Sequence, residues 1–422
     1  MLRRAAAALV LVGAVLFIYR AAIPAYFFED DFQWLVSRWS FRPADLFDLS
    51  NRSHFYRPVI ELYFWIASPF FGGSAVAFHL ASIALHVLNA GLVYLVAVTL
   101  GTRPVWGFVA ALLFAVLPGY VHAVAWVGAI AEPLGACFGC LSLYGFLKFR
   151  ERGGAGWRIV SVAGLAGALL THESSVVFLP LLAMIDWTAG RWSWRVREVA
   201  RMYWPYLAVT AGYLAVDLTV NARHYLIAEG QYAVGLHMVR NIFEYLSSLY
   251  VGERTILAHV VVGGALAWVF IRGRRRAQFA AGWMLIAMLP FAPLAYGRVS
   301  RYLYLPAIGF SLLLAEGLAA LDAAAARRGL ARARVVGLVV IVLFLTVRFG
   351  NFARRGVADF GARTEEYRAF LTALRQTHPT LADGFVLTVD ERTERRMPLR
   401  YLEAAVQWEY GNPTVRLVVG GR

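Results

Sequence analysis

The sequence predicts an all-α protein that crosses a membrane many times and ends in a small α/β appendage. Three observations carry that expectation. Of the 422 residues, 60% are hydrophobic and only 16% charged, with mean hydropathy +0.59; a soluble chain of this length carries far more charge. The apolar residues run in long uncharged blocks, as spanning helices require. The arginines gather in short loops between those blocks, as membrane orientation requires. The same loops account for the net charge of +15, which therefore points to a membrane and not to nucleic acid.

Taken in order, the blocks give about eleven helices, near 5–24, 76–100, 104–121, 131–149, 157–171, 174–188, 202–220, 255–271, 277–293, 302–321 and 335–349. The first, behind Met1-Leu2-Arg3-Arg4, has the look of a signal peptide, with small residues at Ala22-Ile23-Pro24-Ala25. Its apolar run is long and many spans follow, so it reads as an uncleaved span with a cytoplasmic N-terminus. Every basic cluster then lands in the cytoplasm: Lys148 to Arg158, Arg191 to Arg201, Arg272 to Arg276 and Arg327 to Arg334. Loops 25–75 and 221–254 fall outside. The first contains a helix start at Pro43 and an apolar, aromatic run from Val59 to Phe71; the second contains an amphipathic run from Leu236 to Tyr250. Both runs suit helices lying in the membrane interface.

Residues 1–350 thus form the membrane domain of a multi-pass plasma-membrane (bacterial inner-membrane) protein. Residues 351–422 are polar, with β-like runs at 385–389 and 415–419 and helical patterns at 359–377 and 398–409. They read as a small α/β tail on the outer side. Cys137 and Cys140 lie in an apolar block with no second pair, which reads as two buried small residues. Asn51-Arg52-Ser53 fits a glycosylation sequon that matters only in a eukaryotic secretory route. No internal repeat, Walker loop or dinucleotide glycine pattern occurs.

Polar residues in such a chain are the places to look for chemistry. Glu29-Asp30-Asp31 sits where the chain leaves the first block, among aromatics. Adjacent carboxylates in a partly dehydrated place repel each other, which can raise a pKa and make one a base; the alternative is a solvated helix cap. Glu132 and the pair His172-Glu173 interrupt apolar blocks, and ionisable groups there are costly unless they face a cavity or each other. His79 and His86, seven apart, share a helix face and suit either orienting work or interhelical hydrogen bonds. Arg298, Arg301, Tyr302 and Tyr304 cluster on the outer side, against the positive-inside trend. Guanidinium groups there suit a phosphate, or plain headgroup anchoring. Arg57 in Tyr56-Arg57-Pro58 has the same two readings.

These stretches resemble a known family. Phe28-Glu29-Asp30-Asp31, Phe55-Tyr56-Arg57-Pro58 and Phe78-His79 with His86 look like the N-terminal signature of GT-C membrane glycosyltransferases, in the protein O-mannosyltransferase and TMTC-like branch. Phe114 to Pro118 with Val124-Ala125-Trp126 and Glu132, Leu169 to Ser174, and Arg301 to Phe310 resemble later blocks, covering about residues 25–315 in all. His172 stands where Lys is common in the family, Leu117 and His122 where His and Glu are frequent, and Ile130 where Arg is frequent. The resemblance implies a GT-C-like fold and transfer of a sugar from a polyprenyl-phosphate donor to a protein or glycan hydroxyl, with inversion. Asp30, with Asp31 beside it, would be the catalytic carboxylate. Glu132, His172, Glu173, His79 and His86 would orient donor or acceptor. Arg301, Arg298, Tyr302, Tyr304 and Arg57 would hold the lipid phosphate. A divalent cation is compatible with Asp31 and Glu132, though nothing in their spacing requires one. Two other readings remain open: a transporter or flippase of a lipid-linked glycan, which should show repeated broken spans, and a surface-polysaccharide polymerase or ligase.

Overall fold

Each apolar block contains a helix. In the computed structural model, which describes residues 2–49, 55–221, 227, 229–250, 255–295, 299–329 and 331–420, these are α1 (Leu2–Tyr19), α4 (Ala75–Thr99), α5 (Pro104–Val116), α7 (Ala131–Arg152), α8 (Ala155–Leu169), α9 (Phe178–Thr188), α10 (Val196–Asn221), α12 (Ile256–Arg272), α13 (Arg275–Met288), α14 (Tyr304–Arg327) and α15 (Ala331–Thr377). The expected interfacial helices form as α3 (Pro58–Phe70) and α11 (His237–Tyr250). The short α2 (Asp30–Ser37) and α6 (Val121–Ala125) lie between.

By length and apolarity, fewer than eleven of these helices qualify as full crossings. Among the described residues four are long and apolar enough, beginning at Ala75, Val127, Ser300 and Arg332. A fifth is reached only if Pro104–Val116 and Pro118–Ala125, bent by 45°, count as one span. The bend has a local cause. Leu117 is extended, with φ −63° and ψ 133°, because the ring of Pro118 disfavours a helical residue before it and offers no N–H. Residues Glu173–Val177 form a 3-10 turn where the sequence predicts the start of a span.

The bundle packs closely through small residues. A Cβ on Gly164 would stand 2.8 Å from the Ser142 nitrogen, and one on Gly145 would stand 2.9 Å from that of Ser161. At this approach Ser142 Oγ donates to the Ser161 carbonyl at 2.7 Å, and Ser161 Oγ returns the bond to the Ser142 carbonyl at 2.8 Å. Helices that touch through glycine and serine gain packing and satisfied hydroxyls where the hydrophobic effect offers little. The arginine clusters meet at one end of the bundle. Arg150 donates to the Arg191 carbonyl, Arg158 to that of Arg201 and Arg275 to that of Trp187. Arg276 pairs with Glu316 and Arg334 with Asp322. Helices α7 and α14 each end in this arginine-rich layer and begin near Glu132 and Arg301, so those two residues lie at the other end.

The boundary expected at residue 350 falls inside α15. The change of composition there is not a helix break: no proline interrupts residues 331–377, and the 47 residues extend about 70 Å, more than twice a hydrocarbon core of about 30 Å. Apolar side chains of its first half, such as Val336 and Phe344, are exposed. In its second half Ala353, Val357, Phe360, Thr364, Tyr367, Leu371 and Leu374 form a buried stripe at helical spacing. Beyond it, β1 (Val386–Val389) pairs in parallel with β2 (Arg416–Val419), Leu387 opposite Leu417. Helices α16 (Glu391–Arg396) and α17 (Leu399–Tyr410) connect them, and α17 packs on α2.

Candidate active site

The chain enters the site through a forced turn. Glu29 has φ 44° and ψ −110°, the one non-glycine residue with positive φ among the described residues. Such a conformation costs about 1–3 kcal/mol and persists only where the surroundings over-determine it. Here the surroundings are visible. Asp31 is buried; its Oδ2 accepts from the Phe28 nitrogen at 2.7 Å and its Oδ1 accepts from the Gly128 nitrogen. Trp126 Nε1 donates to the Phe28 carbonyl at 3.1 Å. Burial pushes the Asp31 carboxyl well above its ordinary range, against the pull of the two backbone N–H groups, and Asp30 and Glu29 raise it further. Asp31, expected beside Asp30 as catalytic, is instead an internal brace that ties the first outer segment to the segment after α6. Asp30, at the start of α2, is half-buried and lies within electrostatic reach of Tyr401. Burial and Asp30 raise the Glu29 carboxyl, while Arg363, Arg301 and Arg400 pull it back.

A stack of planar groups forms the middle of the site. The Arg301 guanidinium lies 5.0 Å from the Trp126 ring centroid and 5.1 Å from that of Tyr302. Tyr302 stacks on Phe291 at 4.1 Å with 11° between planes. His122 Nδ1 is 3.2 Å from Ser300 Oγ. The amino-terminal acids and Arg301 are thus brought together from residues far apart in sequence. Arg298 lies outside the described residues, as does the sequon.

Across the stack stands a second acidic group. Arg57 holds Glu173 with two hydrogen bonds, 2.9 Å to Oε2 and 2.6 Å to Oε1. Burial alone would raise the Glu173 carboxyl, but the charge of Arg57, then that of His172, and the Arg57 hydrogen bonds hold it down at about 2. His172 Nδ1 accepts from the Ser174 nitrogen at 3.2 Å, so a neutral ring carries its proton on Nε2. That nitrogen stands 3.4 Å from Glu132 Oε1. Tyr213 donates to Asp217 at 2.9 Å, within electrostatic reach of Glu173 and Arg57.

Several expectations need correction. Arg57 is not a ready phosphate ligand, because Glu173 occupies its fork. His86 and Tyr304 lie in the protein core: His86 Nδ1 is 2.9 Å from Tyr304 Oη, and Asn89 Nδ2 donates to the same hydroxyl at 2.9 Å. They join α4 to α14 and touch no site residue named here. His79 is also buried, against the main chain of Ala25, Tyr26 and Ala125, and neither ring nitrogen has a well-formed hydrogen bond. It packs against the entry segment. No group of three metal-ligating side chains occurs among the described residues, and Asp31 and Glu132 do not meet: one is held by backbone N–H groups, the other faces His172.

The sequence did not single out Gly128, Asp217, Arg363, Arg400 or Tyr401 for the site, and it named Glu29 only as a neighbour. Arg363 and the two tail residues lie beyond the stretch of family resemblance. A usable signal was the continuity of helical periodicity through residue 374.

Comparison with known proteins bears on the fold. Two structures of ArnT from Cupriavidus metallidurans superpose on 98% of the chain: the apo state with a TM-score of 0.56 and 16% identity, and the form bound to undecaprenyl phosphate with 0.51 and 15%. They are covered to 85% and 86% of their own length. The Archaeoglobus fulgidus oligosaccharyltransferase AglB, in complex with an inhibitory peptide and a dolichol-phosphate, superposes on 97% with a TM-score of 0.56 and 13% identity. At these identities the likeness shows a shared fold. A stretch of 162 residues is 36% identical to human protein O-mannosyl-transferase TMTC4. It covers 32% of this chain and 22% of that protein, and the chain spans 64% of AglB. No family model matches the chain.

Proposed function

We propose that the chain is an inverting glycosyltransferase that moves a sugar from a polyprenyl-phosphate donor to an acceptor hydroxyl on the extracytoplasmic face of the membrane. The observation that carries this reading is the meeting of Glu29 with Arg301, and of Asp30 with the Trp126–Gly128 segment on which Arg301 lies, at the end of the bundle opposite the arginine-rich layer. The positive-inside rule favours a cytoplasmic position for that layer, which supports a site and tail on the outer side of what we read as a bacterial inner membrane. The lipid phosphates named for ArnT and AglB, and the peptide named for AglB, support a lipid-phosphate donor and a protein or glycan acceptor.

The chemistry is a single displacement. Asp30 takes the proton of the acceptor hydroxyl as its oxygen bonds to the anomeric carbon. The bond from that carbon to the phosphate oxygen breaks, and polyprenyl phosphate leaves with the electron pair. Arg301, kept planar and in place by Trp126 and Tyr302, stabilises the charge growing on the phosphate. Arg298 flanks Arg301 in sequence and joins it in that role. Glu132, His172 and Glu173 line the opposite wall and orient the sugar.

The test uses the full chain in proteoliposomes with short-chain polyprenyl-phosphate hexoses labelled in the sugar, and follows release of polyprenyl phosphate. Wild type should release it, and Asp30→Asn should do so about 10²–10⁴-fold more slowly while inserting normally. Equal turnover by the two proteins would remove Asp30 from the reaction.

A further inference from the structure

The bundle carries a second basic patch, at the end opposite the arginine-rich layer, where the bias that orients a membrane protein gives it no reason to be. Its two halves are built alike. Between α1 and α15, the guanidinium groups of Arg20 and Arg354 lie 5.2 Å and 4.5 Å from the Phe17 ring centroid. On α15 itself, those of Arg348 and Arg355 lie 5.0 Å and 6.0 Å from the Phe352 centroid. Both rings are about half exposed, at 51% and 47%. The two helices close beneath them: a Cβ on Gly350 would meet Ile18 Cδ1 at 3.6 Å.

None of the four arginines makes an ion pair or a hydrogen bond among the described residues. Residues 2–19 and 118–125, which flank this part of α15, contain no Asp or Glu. Asp359, one turn beyond Arg355, is the one acid between residues 331 and 364. A phenyl ring holds a guanidinium by its face, worth about 0.5–1 kcal/mol at an exposed site. That leaves the N–H edges free for paired oxygens, the geometry of a phosphate. The depth is also that of a headgroup. Arg354 stands about 30 Å along α15 from Arg334 in the arginine-rich layer, one hydrocarbon thickness. Below the patch Leu16, Phe344 and Val347 are exposed, an apolar surface for acyl chains.

We infer that Arg20, Arg354, Arg348 and Arg355 hold the phosphate headgroup of an anionic phospholipid in the leaflet opposite the arginine-rich layer. The lipid bridges α1 and α15 where α15 leaves the membrane, and so clamps the half of α15 that carries the tail. The site is separate from the reaction proposed above. Arg363, whose guanidinium lies 5.0 Å from the Phe28 centroid at the edge of the acidic site, is about 14 Å further along α15 than Arg354. A phosphate held at the patch therefore stops short of the carboxylates, which favours a resident phospholipid over a polyprenyl phosphate as its occupant.

The test uses the full chain in phosphatidylcholine nanodiscs with a phosphatidylglycerol probe that carries a photoreactive headgroup, and maps the labelled peptides by mass spectrometry. Wild type should be labelled within residues 17–20 and 348–355, and less so as salt rises. Arg20→Gln with Arg354→Gln should need about 30-fold more probe for the same labelling there. Arg392→Gln with Arg395→Gln, which takes equal charge from α16 in the tail, should change nothing. If the first pair does not insert, Arg348→Gln with Arg355→Gln, on the exposed face of α15, carries the test. Wild type without label in these peptides, or an equal loss in the tail control, overturns the inference. So does protection of these peptides by a short-chain polyprenyl phosphate at concentrations where unlabelled phosphatidylglycerol gives none, which assigns the patch to the isoprenoid lipid instead.

Discussion

Two groups of carboxylates flank the Trp126–Arg301–Tyr302 stack, and they are neutralised in opposite ways. On one side Glu173 is gripped by both arms of Arg57 and Glu132 faces His172. Each of these acids has a cationic or proton-bearing partner within the bundle. On the other side Asp31 is held by two backbone N–H groups, and Asp30 makes no ion pair among the described residues. The first arrangement fixes charge in place, because a bidentate arginine pair is both strong and directional. The second leaves a carboxylate that no cation cancels, which is the condition for accepting a proton. The difference teaches which acid to assign to chemistry: the one left without an ion pair, not the one whose partner cancels it.

The comparison can be broken most sharply at the two neighbouring aspartates. Asp30→Asn should abolish nearly all turnover, about 10²–10⁴-fold, with thermal stability unchanged. Asp31→Asn should do the reverse in kind, lowering stability by about 1–3 kcal/mol, because an amide offers one acceptor to two backbone donors. If both variants lose turnover and neither loses stability, the division between base and brace is wrong.

The next largest effect is expected in the paired cluster. Glu173→Gln leaves Arg57 without its counter-charge and should cost about 2–3 kcal/mol, read as the midpoint of thermal unfolding in nanodiscs. The pH dependence has a definite sign. Glu173 ionises at about 2 in the folded chain against an ordinary value of 4.5. Its stabilisation is therefore present above about 4.5 and is lost as pH falls towards 2. Wild type should lose stability over that window and Glu173→Gln should lose less. Smaller again is Arg301→Lys, which keeps the charge but gives up the planar fork and the stacking. About a tenfold drop in turnover with unchanged insertion is expected.

Much of this arrangement was legible in the sequence, and the reason it stopped where it did is physical. Hydropathy and arginine placement located the helices, because lipid imposes length and loops impose charge. The same reasoning missed the break at Pro118, although proline states it, because the apolar run continues through it. It placed Arg57 on phosphate because a single sequence shows a cation but not its partner, and Glu173 lies 116 residues away. His86 and Tyr304 were drawn into the site by resemblance, whereas their hydrogen bonds to each other and to Asn89 bury them. The tail was cut off at residue 350 because composition changes there while the helix does not. The outward placement of the acids and of Arg301 was read from loops and resemblance together; that the tail packs on α2 required the continuous α15 to be seen.

The smallest effect concerns the glycine that lets the two sides approach. Gly128 has room for no side chain: a Cβ there would stand 2.9 Å from Asp31 Oδ1, 3.3 Å from the Asp30 Cβ and 3.3 Å from Trp126 Nε1. The first of these atoms accepts from the Gly128 nitrogen, on a carboxylate whose other oxygen accepts from the Phe28 nitrogen, and the last donates to the Phe28 carbonyl, so neither can yield without loosening the brace. Gly128→Ala should therefore cost about 1 kcal/mol of stability. It should also lower turnover modestly, through displaced Asp30 and not through any change in charge. A KM for the lipid donor that rises while kcat holds would place the strain on Trp126 and the arginine stack. A fall in kcat at constant KM would place it on the aspartates. The two outcomes separate the halves of the site that this one glycine joins.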